Sequence, residues 1–273
     1  MNDTKIDWAT RSWNPVTGCL HGCPYCYARN QVTRFGGWSY GGGQTCYSRE
    51  RTTENCTGKE PPELDNPLYV LRKNGEEVVA PFPFGFKPTL HRYRLGDPAQ
   101  MKKPQRIFVG SMADLFGAWV PDAWIKAVFD ACQKAPQHTY LFLTKNPQRY
   151  CDLANAGELP ALDNFWYGST ITKKGAPFFS GPVRYHTFLS IEPLLEPLDA
   201  GLGSFGAAEW IIVGAMTGPK AKDHRPQLEW VENIVEAAGI THAAVFMKDN
   251  LAGVWGPELI QDHPKGMVWP EVV

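Results

Sequence analysis

The sequence lacks the features of a membrane protein or an exported protein. No apolar run approaches the roughly 20 residues of a membrane-spanning helix, and the first ten residues mix charged side chains with few apolar ones, unlike a signal peptide. The 27 basic and 28 acidic side chains nearly cancel, so no overall field indicates a nucleic-acid or membrane partner. We therefore expect a soluble, cytoplasmic protein in which any charged binding surface is local.

Internal repeats and low-complexity tracts are also absent, and after residue 104 short apolar runs alternate with segments of helical period. The runs lie at residues 107–109, 139–143, 165–167, 187–189, 210–213 and 243–246, and residues 13–18 form an earlier strand and turn. Helices are predicted after Pro121, Pro147 and Pro226, the last one ending at Gly239. This alternation predicts a parallel α/β sheet with right-handed crossovers, as a barrel, a partial barrel or a doubly wound sheet.

Residues 36–86 interrupt this alternation with glycine-rich and proline-rich stretches and a candidate hairpin about Asn74 and Gly75. The segment is too short and too polar to bury a core of its own. We interpret it as an insertion or lid within one domain of residues 1–273.

Polar side chains follow nearly every predicted strand, where the active sites of parallel α/β folds form. They are Ser111, Asp114, Thr144, Lys145, Ser169, Thr170, Ser190, Glu192, Thr217, Lys248 and Asp249. Lys145 and Glu192 stand out because a lone charge directly after a hydrophobic strand needs a partner or a ligand. Loops are polar for ordinary reasons too, so the whole series, and no single member, indicates a site.

Cysteine is scarce, and three of the seven cysteines lie within eight residues, as Cys19, Cys23 and Cys26. Without an export signal, an odd number favours thiolates, metal ligands or core packing over disulfides. Three thiolates on one short loop can ligate three corners of an iron-sulfur cube and leave one iron open. The sequence therefore predicts a cluster-binding loop after the first strand.

Zinc is the competing interpretation, with His21 or the distant Cys46 or Cys56 completing four tetrahedral ligands. Structural zinc sites usually use paired Cys-x-x-Cys knuckles, and this sequence has one such pair. The roles of Cys46 and Cys56 stay open. Cys132 and Cys151 fall in helical segments and are predicted to be packing or surface thiols.

The spacing Cys-x3-Cys-x2-Cys, with an aromatic residue before the last cysteine, resembles the signature of radical SAM enzymes. Further motifs resemble an uncharacterised radical-SAM-like family of phages and bacteria. They are WNPVTGC at 13–19, IFVGSMADLF at 107–116, LTK at 143–145, LSIEPLL at 189–195 and IVG at 212–214. The resemblance covers nearly the whole chain outside the insertion. One motif departs, because residues 214–218 read GAMTG where relatives usually read GGESG. A carboxylate is therefore missing there, and Thr217 is a poor substitute for it.

This resemblance implies a partial (β/α)6-type TIM barrel of the radical SAM kind, with the inserted irregular and hairpin segment. It implies a 4Fe-4S cluster on the three clustered cysteines, S-adenosylmethionine (SAM) on the open iron, and a 5′-deoxyadenosyl radical that abstracts hydrogen. An electron donor similar to flavodoxin or ferredoxin is expected. The implied SAM contacts are Tyr25 near the adenine, Ser111 and Asp114 for the amino group, Lys145 for the carboxylate, and Ser190 and Glu192 for the ribose or the substrate. No catalytic acid or base is assigned, because the cofactor carries the chemistry.

The substrate is predicted from a basic stretch at residues 87–106, where six Lys or Arg face one acid. It is the best candidate for a phosphate-contacting surface, although a solvated basic connection has the same composition. With the phage association of the family, it favours a nucleic acid or a nucleotide. The alternatives are a radical SAM enzyme acting on a peptide or small molecule, and a non-catalytic metal-stabilised module that binds nucleic acid.

Overall fold

A computed structural model describes residues 1–35, 61–71, 74–198, 205–218 and 221–267. The strands in chain order are β1 (Asn2–Asp3), β2 (Arg11–Trp13), β3 (Val16–Thr17), β4 (Glu63–Leu64), β5 (Tyr69–Leu71), β6 (Glu77–Val79), β7 (Thr89–His91), β8 (Arg106–Val109), β9 (Thr139–Thr144), β10 (Phe165–Thr170), β11 (His186–Ile191), β12 (Trp210–Val213) and β13 (Ala244–Met247). The α-helices are α1 (Tyr27–Phe35), α2 (Asp97–Gln100), α3 (Asp122–Gln133), α4 (Gln148–Asn155), α5 (Leu228–Thr241) and α6 (Ala252–Trp255).

The described strands form a mixed α/β fold around one large sheet, as predicted. Its order is β1-β2-β8-β9-β10-β11-β12-β13, and every neighbouring pair from β2 to β13 is parallel. The sheet thus has seven parallel strands in the described part of the chain, one more than the predicted (β/α)6 type. β1 pairs antiparallel with β2 at the edge.

Two boundaries differ from the prediction. The strand expected at residues 13–18 is divided, because β2 joins the large sheet while β3 pairs with β7 in a separate three-stranded sheet. The helix expected to end at Gly239 continues to Thr241. There His242 takes a left-handed conformation with φ 58°, and its N–H bonds back to the last turn.

The described part of the predicted insertion, residues 61–86, contains the expected hairpin, formed by β5 and β6. Its Leu64, Val70 and Ala80 are buried, so this part packs into the rest of the fold. Cys46 and Cys56 lie outside the described residues.

The large sheet is strongly curved, and aromatic residues fill its concave face. This buried cluster, here called the Trp8 layer, comprises Trp8, Phe108, Leu141, Trp166, Phe188, Trp210, Ile212, Phe246 and Met267. A flat sheet would hold β8 and β12 about 19 Å apart, at four strand spacings. The Trp8 ring nevertheless lies 4.7 Å from that of Phe108 on β8 and 6.3 Å from that of Trp210 on β12. The curvature therefore brings the carboxyl ends of distant strands together.

No helix in the described ranges is both long enough and apolar enough to cross a membrane.

Candidate functional site

The cysteine loop joins β3 to α1 and is fixed at its first residue by backbone contacts. Gly18 has φ +86°, and a Cβ there would lie 2.3 Å from the carbonyl oxygen of Lys87. Only glycine therefore fits at this position. The next N–H, that of Cys19, donates to the carbonyl oxygen of Phe86 at 3.2 Å. The insertion thus supports the start of the loop.

The other end of the loop is held by the first turn of α1. The Sγ of Cys26 accepts a hydrogen bond from the Arg29 N–H at 3.3 Å, and Nη2 of Arg29 donates to the Cys19 carbonyl oxygen at 3.2 Å. A helix N-terminus favours a negatively charged thiolate. The two hydrogen bonds of Arg29 therefore connect the first and last cysteines of the loop.

The three thiols are free and half-buried. The pKa of Cys19 is raised to about 11, chiefly by burial and also by the carboxylate of Asp114 and the thiols of Cys26 and Cys23, while a backbone hydrogen bond from His21 opposes the rise. These interactions place the three sulfurs in one neighbourhood. Binding of a metal would have to displace the thiol protons, as it does in other thiolate sites.

Asp114 connects the cysteine loop to the sheet. Its buried carboxylate accepts hydrogen bonds from Thr144 Oγ1 at 2.7 Å, Lys145 N–H at 2.9 Å and Phe116 N–H at 3.0 Å. The fourth contact is to His21 Nε2, at 2.7 Å. A carboxylate has about four lone-pair sites, so these four partners occupy all of its hydrogen-bond acceptor sites. The predicted role of Asp114 at the SAM amino group stays a prediction.

The remaining predicted residues form short polar contacts around the same space. Ser111 exchanges hydrogen bonds with the Asn14 side chain at 3.1 and 3.2 Å. The ammonium of Lys145 lies 5.8 Å from the centroid of the Tyr25 ring, within the range of a cation–π contact. Glu192 forms an ion pair with Lys248 at 2.6 Å. Ser190 is buried on β11.

All nine predicted site residues line one cavity of about 250 Å³. They are Cys19, Cys23, Cys26, Tyr25, Ser111, Asp114, Lys145, Ser190 and Glu192. The cavity lies at the carboxyl ends of the parallel strands, as the distribution of polar residues predicted. Thr217, from the motif that lacks a carboxylate, also lines the cavity.

Residues 3–267 match the sequence family described as "Protein of unknown function (DUF5131)". The chain belongs to this family. No curated protein sequence matches it significantly. Among solved structures, a spore photoproduct lyase mutant is similar with a TM-score of 0.45 and 11% identity, over 90% of this chain and 78% of that chain.

The cluster and zinc interpretations of the cysteine loop both stay predictions. Among the described residues, no three His, Cys, Asp or Glu side chains are placed to hold one metal ion. Zinc needs four ligands converging on one point, whereas a cube binds each thiolate at a separate corner. His21, the nearby zinc ligand considered from the sequence, is hydrogen-bonded to Asp114.

Sequence reasoning did not assign three residues that the structure places at the site. Asn14 orients Ser111, His21 joins the loop to Asp114, and Lys248 neutralises Glu192. Asn14 directly follows β2, so the strand-end rule would have found it had the first strand been placed at Arg11–Trp13. Lys248 was within the polar series, but the partner of Glu192 could not be chosen from the sequence.

The candidate phosphate-contacting stretch at residues 87–106 does not present all six basic side chains to solvent. Arg106 is completely buried, Arg92 pairs with Glu63, and Arg94 donates to a backbone carbonyl. Residues 102–103 are exposed but precede β8, at the end of the sheet opposite the site. A nucleic-acid partner stays a prediction.

A buried histidine beneath the cysteine loop gives a pH-dependent prediction. His91 contacts Thr17 Oγ1 at 2.8 Å, and burial, with the charge of Arg94, lowers its pKa to about 3. The unfolded chain takes up this proton below about pH 6.5 and the folded chain does not. The free energy of unfolding should therefore fall with decreasing pH, by about 2 kcal/mol at pH 5 from this residue.

Urea unfolding of the wild type and of His91→Gln at pH 7 and pH 5 checks this. The variant should lose less stability between the two pH values, because its side chain does not titrate. Equal losses in both proteins would contradict the prediction.

Proposed function

We propose that this chain is a cytoplasmic radical SAM enzyme in which Cys19, Cys23 and Cys26 hold a 4Fe-4S cluster and SAM binds in the adjoining cavity. The observation that carries the proposal is the position of the three-cysteine loop, which opens onto the cavity lined by eight of the eleven predicted strand-end residues. When bound and reduced, such a cluster cleaves SAM to a 5′-deoxyadenosyl radical that abstracts hydrogen from a substrate. Free thiols of this kind persist in a reducing compartment.

The curved seven-stranded sheet supports a further part of the proposal, that the fold is the partial TIM barrel of the radical SAM kind with an added strand. The concave face is closed at its base by the Trp8 layer. The carboxyl ends of the strands remain lined by polar groups, and this is where barrel enzymes bind their ligands.

The chain's own residues would bind and orient SAM. In this proposal the Tyr25 ring packs near the adenine, and Lys145, held over that ring, pairs with the SAM carboxylate. Ser111, oriented by Asn14, accepts from the amino group. Because Asp114 already has four donors, we assign it chiefly to positioning the cysteine loop through His21.

Ser190 and Glu192 would contact the ribose or the substrate. Glu192 is held by Lys248, and Gly214 provides the space for both, since a Cβ there would lie 2.9 Å from Lys248 Cδ and 3.3 Å from Glu192 Cγ. The pair therefore presents a fixed polar group on this wall. A flavodoxin-like or ferredoxin-like protein would supply the electron.

Anaerobic reconstitution with iron and sulfide, reduction with dithionite and chromatography for 5′-deoxyadenosine test this function. The wild type should form 5′-deoxyadenosine from SAM, and Cys23→Ala should form none. A colourless protein that holds zinc and forms no product would reject the proposal and favour a metal-stabilised binding module.

A further inference from the structure

A second, larger cavity adjoins the candidate SAM site. Its volume is about 970 Å³, against about 250 Å³ for the site itself. The two share six lining residues, Tyr27, Phe108, Ser111, Leu143, Glu192 and Thr217. A cavity of this size accommodates an organic molecule. A substrate bound there would lie directly beside the SAM position.

Among the described residues, two cations in the walls of the larger cavity have no acidic partner, the exposed Lys5 and the half-buried Arg94. The carboxylates in its walls are neutralised in three pairs, Asp3 with Arg11, Asp97 with the Met1 amine, and Glu192 with Lys248. Arg94 forms no ion pair within the described ranges. It donates instead to the Asn14 carbonyl oxygen at 3.0 Å and to the Tyr93 hydroxyl at 3.1 Å. Since two neutral acceptors leave the charge uncompensated, Arg94 is suited to bind an anion.

Arg94 lies close to the junction of the two cavities. Asn14, whose carbonyl accepts from Arg94, exchanges side-chain hydrogen bonds with Ser111, and Ser111 lines both cavities. An anionic group on Arg94 would therefore stand about one side chain from the junction. The atoms attached to that group would extend toward the SAM site.

Aromatic surface is available at the same junction. Tyr27, next to Cys26, is 63% exposed and lines both cavities, and Phe82 and Phe108 line the larger one. An exposed aromatic face beside a cationic group suits stacking of a nucleobase. The larger cavity thus offers a cation for a phosphate and an aromatic ring for a base.

We propose that the larger cavity binds a nucleoside monophosphate, with the phosphate on Arg94 and the base against Tyr27. Its role as the substrate of hydrogen abstraction rests on the proposed function. A single free nucleotide fits better than a nucleic-acid strand, because strands are held by several phosphate contacts and the basic stretch is dispersed.

Calorimetric titration of the full chain with the four ribonucleoside monophosphates and their nucleosides tests the proposal. At least one monophosphate should bind about tenfold more tightly than its nucleoside, and Arg94→Gln should abolish that difference. Arg92→Gln is the matched control, since Arg92 is in the same short 3-10 helix but lines neither cavity. Equal affinities, no binding at millimolar concentration, or an unchanged preference in Arg94→Gln would overturn the proposal.

Tyr27→Ala provides a second test that does not threaten the fold, because the side chain is mostly exposed. It should weaken the monophosphate about tenfold, in line with the loss of one stacked base. Unchanged affinity in a folded Tyr27→Ala protein would overturn the base contact. The titrations are made on protein with and without reconstituted cluster. Nucleotide binding by a chain that takes up no iron or sulfide on reconstitution would reject the proposed function and retain this site.

Discussion

Replacement of Cys19, Cys23 or Cys26 by serine should lower the affinity for the iron-sulfur cluster by more than about 100-fold. Loss of a residue that only hydrogen-bonds to a metal ligand already costs about 10- to 100-fold, and a ligand itself should cost more. Each cysteine supplies one of three protein ligands, and a hydroxyl is a harder and poorer ligand for iron-sulfur clusters than a thiolate. Iron and acid-labile sulfide per chain, measured after anaerobic reconstitution and desalting, should fall close to background in all three variants.

The chain offers a matched control for this experiment. Cys151 is a half-buried thiol on α4 that lines neither cavity. Cys151→Ser should therefore retain the full iron and sulfide content. Equal loss in Cys151→Ser, or retention of the cluster in any of the three loop variants, would contradict the assignment.

Asp114→Ala should destabilise the protein by about 3–5 kcal/mol, the usual cost of breaking a buried charged network. The substitution removes the acceptor for the Thr144 hydroxyl and for the N–H groups of Phe116 and Lys145. Each of these donors would be left without its partner in a buried place. His21, and with it the cysteine loop, would also lose its connection to the sheet.

Urea unfolding measures this effect, and Asp152→Ala supplies the comparison. Asp152 is exposed on α4 and accepts a hydrogen bond from Gln148 at 2.9 Å, so its loss should change stability by less than about 0.5 kcal/mol. If Asp114→Ala were as stable as Asp152→Ala, the carboxylate would not hold the loop and strands together.

The strands were predictable because their sequences are apolar and enriched in aromatic and β-branched residues, which suits burial on both faces. Their carboxyl ends must then meet at one edge of the sheet, so residues as distant as Ser111 and Glu192 could be grouped from the sequence alone. The length of β2, only three residues, gave too little periodicity to place the first strand correctly. That error concealed Asn14.

The ion-pair partners of the charged site residues were less predictable from the sequence than the positions of those residues in the fold. The expectation that Glu192 needs a partner is met by Lys248, whereas Lys145 lies over an aromatic ring. The six basic residues at 87–106 led to the prediction of a phosphate-contacting surface. Composition does not show which way a side chain points, and Arg106 is buried in the core. Helix α5 passed Gly239 because His242, and not the glycine, takes the left-handed conformation that ends the helix.

The most direct test of the radical SAM assignment is to quantify iron and acid-labile sulfide in the reconstituted wild type and to record the electron paramagnetic resonance spectrum of the reduced protein with and without SAM. We expect about four iron and four sulfide per chain, as in a 4Fe-4S cluster, and a spectrum that shifts when SAM is added. Zinc in place of iron, iron without sulfide, or a spectrum unaffected by SAM would contradict it.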